Sequence, residues 1–155
     1  MLQFFGGKRA EAVELIKKRL SETPNDPSLW CSLGDITEDD AFFEKALQVS
    51  NNRSYRAKRS MAKSACKRGD YYTPIILWES ALAMNSMDRD GWFGLGTPAL
   101  KAPDPGKALD AFTRVIQLDP ENEDAWNNIA CLQTMKKRGK ECWVFNKLKC
   151  INHYG

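Results

Sequence analysis

Three kinds of residue in this sequence could do chemistry, and their spacing decides which. Five cysteines (Cys31, Cys66, Cys131, Cys142 and Cys150) and one histidine, His153, are the possible metal ligands and nucleophiles. No two cysteines form a C-x-x-C pair, whereas a structural zinc site draws four Cys or His ligands from paired spacings, so no metal or other cofactor is expected. A nucleophilic thiol needs a histidine base and an orienting partner, and one histidine near the C-terminus supplies little. Cys31 and Cys131 are therefore expected as small buried or groove-lining residues. The second kind is cationic: seven basic residues and no acidic one lie between Arg53 and Arg68. Such a run attracts carboxylates or phosphates. The third kind is aromatic, since Trp30, Trp78, Trp92 and Trp126 could stack on nucleic-acid bases. Nothing resembles a phosphate loop or a Ser/His/Asp set, and the chain is not expected to be an enzyme.

The elements that must position these residues belong to one ordinary domain. The chain has 155 residues, 28% of them charged and 43% apolar, with 23 Lys and Arg against 20 Asp and Glu and a net charge of +3. That balance fits a soluble globular protein and excludes collagen-like and highly charged disordered chains. No stretch approaches the ~20 apolar residues of a membrane span. Residues Met1 to Gly7 lack a basic segment and carry too short an apolar run for a signal peptide. An odd cysteine count without a signal peptide implies reduced thiols, so the expected location is the cytoplasm, or else the nucleus.

The four tryptophans then take a different meaning. Trp92-x-x-Leu95-Gly96 recurs as Trp126-x-x-Ile129-Ala130, 34 residues later. Positions i, i+3 and i+4 share one face of a helix. Ala108, Phe112 and Val115 form the matching stripe of a second helix, and Pro120 ends it. The small residue at 96 lets that second helix approach closely. One period upstream, Tyr55 to Asp88 carries Met61, Ala62, Ala65, the turn Gly69-Asp70-Tyr71, Trp78 and Ala81, with Lys58 in place of the tryptophan. Trp30-x-x-Leu33-Gly34 opens another unit, whose stripe Phe43-x-x-Ala46 arrives seven residues early, with Thr37-Glu38-Asp39-Asp40 replacing the missing turn. Before it, Ala12, Ile16 and Pro24 fit a second helix and linker. Glu141 to Phe145 is expected as a short, poorly packed last helix, followed by a frayed end. Two departures stand out within the helix opened by Arg89. Pro98 should cost ~3 kcal/mol or kink that helix, and Gly91, Gly94 and Gly96 weaken it further.

Counted from Arg89, the landmark residues fall at positions 4, 7, 8, 20, 24, 27 and 32, and in that pattern the chain resembles the tetratricopeptide repeat. Pro27-Ser28-Leu29-Trp30-Cys31-Ser32-Leu33-Gly34-Asp35, followed by Phe43 to Asn51, is similar to the tetratricopeptide repeat protein 27 family, particularly its plant members. The resemblance covers roughly residues 7 to 140 and implies the C-terminal repeat region of a larger, non-enzymatic intracellular scaffold. The fold expected is all-α, a right-handed α-solenoid of seven or eight helices in degenerate helix-turn-helix repeats. The units expected are a half repeat over 1–26, a contracted repeat over 27–54, repeats over 55–88 and 89–122, and an incomplete repeat over 123–155.

In this repeat, positions 2, 5, 9, 12 and 13 of each first helix line a concave groove where partners bind. The resemblance thereby places Arg56, Arg59, Lys63, Cys66 and Lys67 in the groove, with Asn127 among the positions of a later unit. The expected function is a protein–protein interaction scaffold holding a protein or acidic peptide in that groove. The two-carboxylate clamp for chaperone tails requires lysines, asparagines and an arginine at set positions, and Cys31, Asp35, Ser60, Asp90 and Gly94 do not supply them. The alternative is an RNA-binding helical repeat using the basic stripe. The tryptophans, however, fall on the internal packing stripe, and a net charge of +3 is a weak footprint for RNA.

Overall fold

The computed structural model describes residues 2–138, with side chains from Gly6 to Lys137. Those residues form eight helices and no strand: α1 (Leu2–Glu22), α2 (Pro27–Thr37), α3 (Asp40–Val49), α4 (Tyr55–Lys67), α5 (Tyr72–Met84), α6 (Arg89–Lys101), α7 (Pro105–Leu118) and α8 (Glu123–Arg138). The expected last helix over Glu141 to Phe145, with Cys142, Cys150 and His153, lies outside the described residues.

Short polar side chains set the helix starts. Asp26 accepts from the Ser28 N–H at 2.8 Å, and Pro27 opens α2, where its missing donor costs nothing. Asp39 caps α3 in the same way through the Ala41 N–H at 3.0 Å. Asp104 accepts from the Lys107 N–H at 3.1 Å, again with a proline, Pro105, at the first position of α7. The turn between α2 and α3 is reduced to Glu38 and Asp39. Glu38 takes the left-handed conformation at φ 57°, and its N–H closes α2 on the Gly34 carbonyl at 2.8 Å. The acidic stretch read from the sequence as a missing turn is therefore a left-handed stop followed directly by a cap.

The helix expected to suffer from Pro98 does not break. α6 runs from Arg89 to Lys101 with Pro98 inside it, and the C-cap Ala102 N–H donates to the Pro98 carbonyl four residues back at 2.8 Å. Pro98, Ala99 and Leu100 are all buried, so packing outweighs the lost backbone bond at this site.

Two compact units divide the chain, one up to Ser64 and one from Ala65, the boundary falling inside α4. In the first, α1 packs on α2 and α2 on α3. Its core is Cys31, Phe43, Ala46 and Ala57, with Trp30, Leu47 and Met61 against them. In the second, α5, α6, α7 and α8 pack each on the next, around Trp78, Phe112 and Val115.

Both units rest on the same close approach. A Cβ on Gly34 would stand 2.7 Å from the Phe43 ring, and one on Gly96 would stand 2.6 Å from the Phe112 ring. Gly94 is equally crowded, at 2.6 Å from Trp78. Such distances leave no room for a methyl group against a fully buried ring. Gly7, in α1, meets nothing within 4 Å.

This difference sets up a paired expectation for thermal or denaturant unfolding. Gly96→Ala should lose about 1–2 kcal/mol, because overpacking against Phe112 exceeds the helix propensity that alanine adds. Gly7→Ala should instead be neutral or gain up to about 1 kcal/mol. Equal stabilisation by both would show that the Gly96 contact can relax.

Candidate functional site

The cationic face is built on one helix. Arg56, Arg59, Lys63 and Lys67 follow one another at spacings of 3, 4 and 4 along α4, which places them within about 80° of arc. The opposite side of α4 is its packing side. Ala57, Ala62 and Ala65 are buried there, and so is Lys58, which the pattern placed at the tryptophan position. The basic run from Arg53 to Arg68 thus divides by helical periodicity: Lys58 goes inward, and four cations share the other side.

These four are not equivalent. Arg56 is exposed, but its Nη2 lies 2.6 Å from Asp35 Oδ2, while Ser60 Oγ donates to Asp35 Oδ1 at 3.2 Å. Asp35 sits on α2 and holds both partners on α4 within the first unit. Arg59 is half-buried and engaged. Lys63 and Lys67 are exposed and make no ion pair among the described residues. Asn127 is exposed on α8, in the second unit. The residue that sequence reasoning missed as a partner is Asp35. The signal was present, because an acidic groove position on α2 precedes a basic one on the next first helix.

Two thiols, Cys31 and Cys66, are shifted away from the thiolate form. Burial pushes the Cys31 thiol up from its ordinary value, and the Ser54 hydroxyl 3.6 Å away only partly offsets this. Burial likewise raises Cys66, despite the nearby Lys101 ammonium. A raised thiol holds less thiolate at neutral pH, the reverse of what a nucleophile requires.

The tryptophans at the repeat position add a second role to helix packing. Trp30, Trp92 and Trp126 each donate the indole N–H to a linker carbonyl six residues earlier: Pro24 at 2.8 Å, Ser86 at 2.8 Å and Pro120 at 2.7 Å. All four were expected on the internal packing stripe, but they are not equally covered. Trp78 is 2% exposed, but Trp126 is 50% exposed. A ring that braces the linker needs only one covered face.

The second unit also carries an open cleft of about 590 Å³ beside α5, α6 and α7, with Leu82, Trp92 and Leu95 among its lining. Lys107 bridges to Glu79 across its edge at 2.6 Å, and that bond holds the ammonium above its usual value. Arg114 lies 5.8 Å over the Trp92 ring. No described helix is long and apolar enough to cross a membrane.

No family model matches the chain. By sequence it is 38% identical over 97 residues to the tetratricopeptide repeat protein 27 homolog of Dictyostelium discoideum, a match covering 63% of this chain and 11% of that protein. It is 33% identical over 119 residues to the TPR repeat-containing protein C19B12.01 of Schizosaccharomyces pombe, covering 77% of this chain and 15% of that one. The chain thus spans less than a fifth of the length of these relatives. By structure it superposes on the MamA protein with a TM-score of 0.75 at 19% identity, covering 97% of this chain and 86% of the other. It superposes on YrrB, a TPR protein with an unusual peptide-binding site, with a TM-score of 0.73 at 17% identity, covering 99% and 83%.

Labelling of the thiols tests their assignment as structural. At neutral pH, Cys31 and Cys66 should react with iodoacetamide more slowly than a free peptide thiol, followed by peptide mass mapping. A rate at Cys66 above that of the free thiol would mark an activated thiolate and reopen the question of catalysis.

Proposed function

We infer, from the premise that this chain is a tetratricopeptide repeat protein, that it is a non-catalytic scaffold in the cytoplasm or nucleus that captures an acidic peptide segment of a partner protein. The observation that carries this reading is the alignment of Arg56, Arg59, Lys63 and Lys67 on one side of α4, with Lys63 and Lys67 exposed and unpaired among the described residues. Helices that keep their apolar residues on the packing side leave the other side free for recognition, and cations gathered there favour carboxylates over neutral segments. The peptide-binding site named for YrrB supports a peptide as the form of ligand this fold accepts. Asn127, exposed on α8, is a further proposed contact in the second unit, its amide suited to bonding a peptide backbone. The larger relatives suggest that such a region serves as one arm of a longer scaffold.

Asp35 gives the reading a specific signature. Its carboxylate already holds Arg56, so an incoming acidic side chain must displace it to use that guanidinium. The pair is half exposed, at 51% and 41%, and such pairs contribute only ~0.2–1 kcal/mol. Displacement is therefore within reach of an ordinary peptide contact.

Titration with a fluorescent Asp/Glu-rich peptide, read by anisotropy, tests both statements. Lys63→Glu with Lys67→Glu should weaken binding by at least about tenfold while leaving the melting curve near that of the parent. Reversing Arg59 and Lys63 should abolish capture. Asp35→Ala should tighten binding by a few-fold, by releasing Arg56. Binding unchanged by the Lys63/Lys67 reversal would overturn the assignment. A single-stranded RNA shifted at micromolar concentration in ~150 mM salt would favour the nucleic-acid alternative.

A further inference from the structure

The anion already held on α4 shows what kind of group its cationic side accepts. Asp35, exposed on α2, reaches α4 with both carboxylate oxygens. Its Oδ2 lies 2.6 Å from Arg56 Nη2, and its Oδ1 accepts from the Ser60 hydroxyl at 3.2 Å. Arg56, Ser60 and Lys63 stand at i, i+4 and i+7 of the helix, so they form one stripe with successive Cβ atoms about 5–6 Å apart. Lys63 is exposed and makes no ion pair among the described residues. Three donors therefore line up, and the two oxygens of a carboxylate occupy only the first two.

Resting on the reading of α4 as a peptide-binding face, we infer that the acidic segment captured there is a phosphorylated one, whose phosphoserine or phosphothreonine replaces Asp35 on Arg56 and Ser60 and also engages Lys63. A phosphate monoester carries about two negative charges at neutral pH and three acceptor oxygens, so each donor of the stripe meets its own acceptor. The guanidinium serves phosphate as well as it now serves carboxylate, in both cases through charge-assisted bonds. Lys63 supplies a compact charge for the third oxygen. Displacing Asp35 costs the same for any incoming anion, so the preference between anions follows from what each gains. An Asp or Glu side chain brings one charge and two oxygens, and an RNA phosphodiester brings no more. The phosphate monoester brings about twice the charge and one further acceptor. The displaced carboxylate is exposed and free to turn into solvent, where screening limits its repulsion of the newcomer.

Anisotropy on the full chain tests this with three versions of one Asp/Glu-rich peptide, alike except for a central phosphoserine, Glu or Ser. The phosphoserine form should bind about tenfold tighter than the Glu form, and the Glu form tighter than the Ser form. Lys63→Gln should cut that preference to about twofold or less, through loss of the third donor. Lys45→Gln removes the same charge from an exposed position of α3 and should leave the preference intact. Both substitutions fall at exposed helical positions, so the melting curves should match that of the parent. Equal binding of the phosphoserine and Glu forms overturns the phosphate assignment and leaves the acidic-peptide reading standing. A preference that survives Lys63→Gln also overturns it, by putting the phosphate elsewhere. So does a preference that falls equally in Lys45→Gln, which would make it a response to net charge alone. Failure of all three peptides to bind overturns the acidic-peptide reading itself, and the phosphate assignment with it.

Discussion

The closeness of helix to helix at one small residue is the constraint on which most of this structure depends. Where Gly34 faces Phe43 and Gly96 faces Phe112, no side chain separates ring from backbone. The ring therefore packs directly on the neighbouring helix, and each helix pair builds its core from one large and one absent side chain. Other features follow. The linker before a first helix is short, and an indole N–H from that helix ties it down. Even Pro98 is tolerated, because the helix that carries it is held along its length by neighbours on both sides rather than by its own backbone bonds alone.

Packing of this kind uses one side of α4 and leaves the other to polar and charged side chains. Ala57, Ala62 and Ala65 meet the burial requirement with minimal side chains, so charge on the remaining side costs little. The interaction between Asp35 and Arg56 shows how such a surface is tuned. It is short enough to orient both groups and exposed enough to exchange. If this face takes an acidic peptide, as proposed, that peptide competes with Asp35 for Arg56. Buried Cys31 and partly buried Cys66 take the opposite course, since the desolvation that accompanies packing disfavours their thiolates.

Taken by itself, the sequence determined the helical class, the 34-residue spacing of the tryptophan motif and the small residues at 34 and 96, because these depend on local periodicity and on the volume of single residues. It also placed four cations of α4 on one side, since helical spacing alone requires that. It did not determine how those cations are shared, or how far each tryptophan is buried. Arg56 belongs to Asp35 through a contact 21 residues away, and Lys58 is buried although its type suggests solvent. Trp126 carries the same motif as Trp92 yet is half exposed, because burial depends on which neighbours surround a ring. The penalty expected of Pro98 was correct for an isolated helix and was outweighed by burial inside a packed layer. Such outcomes are decided only by tertiary structure, since they arise from distances between helices that no pattern within one helix can specify.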